Sequence, residues 1–200
     1  MIFKSKNNSP KSYLNGKRIG VLGLSPRCGT THIAVAISNY LSEAEKMKVS
    51  LFERNRHDDI RKLTAKLGAK DNGPFTYHRV TYFPLQGVSS EMMPDLQSDC
   101  MVFDLGCDIK AGIQHLLLCD IKIIVGTDAV WREEEYEKLE AFTSKYGILS
   151  SWRLFINLGS TKRLKEKGRY GMTVCCFPFE PDPVYPGKDT ENFLKEAIYG

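Results

Sequence analysis

Gly20–His32, GVLGLSPRCGTTH, is the stretch on which the reading of this chain turns. An apolar run ends near Leu22 and reads as a buried strand. Ser25, Pro26, Arg27 and Cys28 follow as loop residues, and then come Gly29, Thr30 and Thr31. Beyond them Ile33, Ala36, Ile37, Tyr40, Leu41 and Ala44 recur at the spacing of one helix face. Strand, glycine-containing loop and a helix opening on threonine form the context of a phosphate-binding loop. Its main-chain N–H groups and the helix N-terminus face an anion. The consensus is G-x-x-x-x-G-K-[ST]. Aligned on Gly29 and Thr31, this chain has Leu24 for the first glycine and Thr30 for the lysine. The plain alternative is a glycine turn with a threonine capping a helix.

Outward from that loop, strands and helices alternate. Strands are expected over 17–24, 48–53, 99–106, 120–126, 151–159 and 172–179, with a further β-like stretch over 73–85. Helices are expected over 30–46, 57–68, 108–118, 129–147 and 189–200. The strands are near-continuous apolar runs, as in a parallel sheet covered on both faces. This pattern predicts an α/β fold: three layers, doubly wound, with a mostly parallel sheet. Residues 1–16 read as a flexible basic lead-in and 17–200 as one domain. Ligands in such sheets sit at the carboxyl ends of the strands. Gly29–Thr31, Glu53–Asn55, Asp104–Gly106, Asp128, Asn157 and Pro178 all fall there.

Bulk properties narrow the field. With 200 residues, 42% of them hydrophobic and 26% charged, the chain has material for one ordinary core. A net charge of +4 permits an anionic partner without arguing for one. Lys162, Arg163, Lys165, Lys167 and Arg169 give a weak argument for DNA, against the commoner reading of a solvated connector. The six cysteines lack C-x-x-C spacing and read as reduced thiols of a cytoplasmic protein. The apolar runs are too short to cross a membrane, and no secretory leader is visible. The four histidines have no zinc-ligand spacing.

Asp104 ends the apolar run CMVF, the arrangement in which a strand-tip carboxylate orders Mg²⁺ beside a phosphate loop. Thr31 would share that ion. Glu53 and Asn55 close the second strand, where an acid organises water or metal, or binds a ribose in a dinucleotide fold. The absence of G-x-G-x-x-G disfavours the latter. Arg27 is a candidate substitute for the missing cation. Cys28 lacks the arginine six residues on that a phosphatase loop needs, since Ala34 stands there.

These stretches, together with KVSLFERN, SDCMVFDLG, CDIKIIVGTDAV and LFINLGS…VCCFPFEPD, resemble the ParA/MinD family of P-loop ATPases from about residue 17 onward. The resemblance implies a site for ATP or ADP with Mg²⁺. It assigns Gly29 and Thr31 to the phosphate loop, Thr31 and Asp104 to the metal, and Glu53 to the first switch I acid. It assigns Asn157 to the base, and Pro178 to Asp182 to the loop lining it. Ser25 replaces the family's signature lysine, Thr30 the universal one, and Asn55 the second switch I aspartate. Such losses imply weak or absent hydrolysis, since one preorganised donor is worth roughly 3 kcal/mol in a transition state. The loop SPRCGTTH is similar to the divergent branch active in pilus assembly and polar localisation. The resemblance thus implies a homodimer and a protein partner in an assembly or positioning system. Three readings stand: a pseudo-ATPase switch or scaffold, a working ATPase using Arg27 or another basic residue, and a nucleotide-free interaction module.

Overall fold

The computed structural model describes residues 10–85, 97–143, 151–159 and 171–199. In chain order the elements are α1 (Pro10–Leu14), β1 (Lys17–Gly23), α2 (Thr30–Glu43), β2 (Val49–Glu53), α3 (Asp59–Lys66), β3 (Phe75–Tyr77), β4 (Val80–Phe83) and β5 (Cys100–Asp104). There follow α4 (Ile109–Leu117), β6 (Ile121–Thr127), a 3₁₀ turn (Val130–Arg132), α5 (Glu133–Thr143), β7 (Arg153–Asn157), β8 (Thr173–Cys176) and α6 (Lys188–Tyr199).

The strands form one eight-stranded sheet in the order β3-β4-β2-β5-β1-β6-β7-β8. All neighbours are parallel except β3, which pairs antiparallel with β4. The doubly wound, mostly parallel α/β expectation is therefore met. The β-like stretch 73–85 resolves into that antiparallel hairpin, with His78 at φ 53 in its turn.

Alternation along each strand divides the core in two. Ile19 and Val21 of β1 face one layer, where α2 and α6 contribute Ile33, Ile37, Leu41, Leu194 and Ile198. Leu22 and Leu24 face the other, where α4 and α5 contribute Ile113, Leu116, Tyr136 and Leu139. Gly20 lets α4 approach, because a Cβ there would lie 2.7 Å from Leu116 Cδ1. Across β4, β2 and β5 the rings of Phe83, Phe52 and Phe103 stack in register, at 4.5 and 5.2 Å between centroids.

Two details differ from the sequence reading. Within the stretch read as a lead-in, Pro10–Leu14 are helical and Leu14 is wholly buried in the core. The helix expected from 129 begins at Glu133, after the 3₁₀ turn. Trp152 is buried, whereas Trp131 is 83% exposed. All six cysteines are free; Cys28, Cys100 and Cys119 are buried, and the other three are half-buried. The basic stretch 162–169 lies outside the described residues. No helix among the described residues is long and apolar enough to cross a membrane.

Candidate functional site

The central strand β1 carries the loop out of the sheet between β5 and β6. Gly23 N–H donates to Gly106 O at 2.7 Å, and Leu24 N–H to Val125 O at 2.8 Å. Both walls of the loop base are thereby fixed by strand ends. A tight turn follows, with Cys28 N–H directed at Ser25 O and Arg27 in the left-handed region at φ 65.

Gly29 caps α2 at φ 98 and offers the helix no side-chain acceptor. A Cβ at Gly29 would lie 2.2 Å from Asn157 Nδ2, so a side chain there would displace Asn157 and strain the backbone. Asn157 comes from the carboxyl end of β7, and its amide donates to Cys28 O at 3.0 Å. The resemblance implies a base-facing role for Asn157, and its amide also holds the loop carbonyl of Cys28.

Thr31 Oγ1 donates to Asp104 Oδ2 at 2.6 Å, and Gly106 N–H to Asp104 Oδ1 at 3.1 Å. Asp104 is wholly buried at the tip of β5. Burial pushes its carboxyl above the ordinary carboxylate range, and the bonds from Thr31 and Gly106 oppose that push. Thr30, in the lysine's place, turns its hydroxyl onto Cys28 Sγ at 3.3 Å.

The side chains expected after β2 have other partners. Glu53 Oε1 accepts from the N–H groups of Asp59 (2.7 Å) and Ile60 (3.3 Å), and Oε2 accepts from Leu85 N–H. It caps α3 from inside the protein, and desolvation raises its pKa. Asn55 donates to Asp104 O at 3.3 Å and accepts from His57 N–H at 2.9 Å.

A cavity of about 340 Å³ opens over the loop, within the size range of small-molecule sites. Ser25, Arg27, Gly29, Thr30, Thr31 and Gly106 line it, with His32, His57 and Asp59. Pro178 and Asp182 are not on this wall. Asp182 Oδ1 accepts from Val184 N–H, which shapes its own loop. That loop meets the site through His32, whose pKa burial lowers while the neighbouring Glu180 opposes the shift.

Arg132 is the residue that sequence reading missed. Its Nη1 donates to Ser25 Oγ, to Pro26 O at 3.4 Å and to Glu135 Oε1 at 3.3 Å. No local pattern announced it, because it lies on the far side of β6. Among the described residues no group of three or more His, Cys, Asp or Glu would hold a metal unaided. Thr31 and Asp104 supply oxygen atoms suited to Mg²⁺, a hard ion that completes its shell with phosphate and water.

No family model matches the chain, and no curated protein matches it. Solved structures do. A plasmid partition protein from Borrelia burgdorferi bound to AMPPNP aligns at 15% identity, over 92% of this chain and 97% of that one, with a TM-score of 0.66. The cell division protein MinD of Aquifex aeolicus aligns at 13%, over 92% and 97%, with a TM-score of 0.65. A ParA family ATPase from Chlorobium tepidum aligns at 16%, over 92% and 94%, with a TM-score of 0.58. The chain has the α/β fold of the ParA/MinD P-loop ATPases.

Proposed function

We propose that this chain is a ParA/MinD-type protein that binds ATP or ADP with Mg²⁺ and turns ATP over slowly or not at all. It acts in the cytoplasm as a homodimeric switch or scaffold for a protein partner in an assembly or positioning system. The observation that carries the reading is the 2.6 Å bond from Thr31, which lines the cavity over the loop, to the buried Asp104 behind it. A buried carboxylate is costly unless something repays it. A divalent ion shared with a phosphate chain does so, and the B. burgdorferi relative holds a triphosphate analogue.

The roles follow from placement. Gly29 leaves the first turn of α2 without a side-chain cap, so its N–H groups remain for phosphate oxygens. Thr31 and Asp104 would hold Mg²⁺, which neutralises phosphate charge when bound. Asn157 and the β5 and β6 ends keep the loop from collapsing. Thr30 carries no charge and faces Cys28, so the stabilisation that a lysine gives to developing negative charge is missing there.

Melting curves with ATP or ADP, with and without Mg²⁺, test the binding. The melting temperature should rise with either nucleotide, and Asp104→Asn should abolish the effect of Mg²⁺. Phosphate release should stay at background. Steady release that Asp104→Asn abolishes would establish the working ATPase instead. No shift at millimolar nucleotide would leave the interaction module.

A further inference from the structure

We infer that Arg132 supplies to this site the positive charge that the loop itself lacks, by contacting the anionic end of a bound nucleotide's phosphate chain. The inference rests on the nucleotide-binding reading above. Among the described residues, Arg132 is the one basic side chain hydrogen-bonded to the loop, and it reaches Ser25 and Pro26 from 107 and 106 positions away. Ser25 and Pro26 both line the cavity.

The placement has a structural cause. β6 lies beside β1 in the sheet, and the 3₁₀ turn Val130–Arg132 follows β6 directly. The chain therefore passes the loop before α5 begins. Glu135, in the first turn of α5, pairs with the same Nη1 of Arg132 at 3.3 Å. The Arg132 side chain is 27% exposed, so its charge is only partly screened. The three contacts all use Nη1, and among the described residues Nε and Nη2 donate to nothing. A planar fork with donors to spare suits a phosphate. Arg27 fits the role less well. It is exposed, held at φ 65, and makes no hydrogen bond among the described residues.

Calorimetric titration with Mg·ATP, ADP and AMP tests the inference on the wild type and on Arg132→Gln, Arg132→Lys and Arg27→Gln. Arg132→Gln should weaken ATP binding about tenfold, or about 1.4 kcal/mol. Because a charge–charge interaction scales with ligand charge, the loss should shrink from ATP to ADP to AMP. Arg132→Lys should recover part of the ATP affinity, and Arg27→Gln should change it by less than about threefold, as an exposed charge does. Glu135→Gln removes the opposing charge and should tighten ATP binding, which provides a gain-of-affinity test if Arg132→Gln folds poorly.

Undiminished ATP binding by Arg132→Gln overturns the inference alone. So does an equal loss for all three nucleotides, which would mean that Arg132 only braces the loop, and so does unchanged or weaker ATP binding by Glu135→Gln. Wild-type protein that binds no nucleotide overturns the inference together with the reading beneath it.

Discussion

The contact between Gly29 and Asn157 supports a quantitative forecast. Gly29→Ala places a Cβ 2.2 Å from Asn157 Nδ2 and at φ 98, where an L residue is strained. The left-handed conformation costs a non-glycine residue roughly 1–2 kcal/mol. Relief of the clash requires Asn157 to withdraw, which breaks its 3.0 Å bond to Cys28 O. That adds about 1 kcal/mol, so the substitution should destabilise by about 2–3 kcal/mol. Asn157→Ala alone removes the same bond and should cost about 1 kcal/mol. It also removes the obstacle, since the residual Cβ–Cβ approach is an ordinary 3.9 Å. In the double variant the bond is lost once rather than twice. The combined loss should therefore fall short of the sum by about 1 kcal/mol, the size of interaction expected for residues in contact. Urea unfolding of the four proteins, at unchanged m-value, measures the cycle. Strict additivity would refute the account of Asn157 as the clamp over Gly29.

Other substitutions separate structural from ligand-binding roles. Thr31→Val removes a donor from the buried Asp104 and should cost about 1–3 kcal/mol in unfolding experiments, together with the Mg²⁺ dependence of nucleotide binding. Glu53→Ala leaves the Asp59 and Ile60 N–H groups unsatisfied and should cost a similar ~1–3 kcal/mol. Nucleotide affinity of its folded fraction should stay near wild type in a titration, and a large affinity loss would show that Glu53 also serves the site. Burial pushes the Cys119 thiol up to about 11 and Cys100 up to about 12, so both stay protonated at pH 8. Iodoacetamide labelling followed by mass spectrometry should modify the half-buried Cys107 before Cys100, and the order should vanish in denaturant.

Much of the fold was legible because apolar periodicity is a local signal. IKIIV must be buried on both faces, and Ile33, Ile37, Tyr40 and Leu41 must share a helix face, whatever lies elsewhere. The loop was legible for the same reason, since Gly29 and Thr31 are set by their own strand–turn–helix context. What escaped depended on distant partners. The switch-acid role of Glu53 came from resemblance alone; that its oxygens accept from backbone N–H groups depends on the return of α3 and Leu85, which no local pattern carries. The base-facing place of Asn157 came from resemblance alone, and its bond to Cys28 O depends on the approach of β7. Arg132 sat inside what looked like one long helix. The 3₁₀ turn that redirects it carries no strong sequence signature.

The strand order also bears on how the protein is made. β1 precedes the other strands of the sheet in sequence, yet its neighbours are β5 and β6, with Val21 beside Asp104 and Gly23 beside Val125. Pairing between segments so far apart in sequence is slow to nucleate, because long loops must close before any contact rewards them. The clamp from Asn157 arrives later still. The base of the cradle is therefore fixed only once β5 and β6, and the strand that carries Asn157, have joined the sheet.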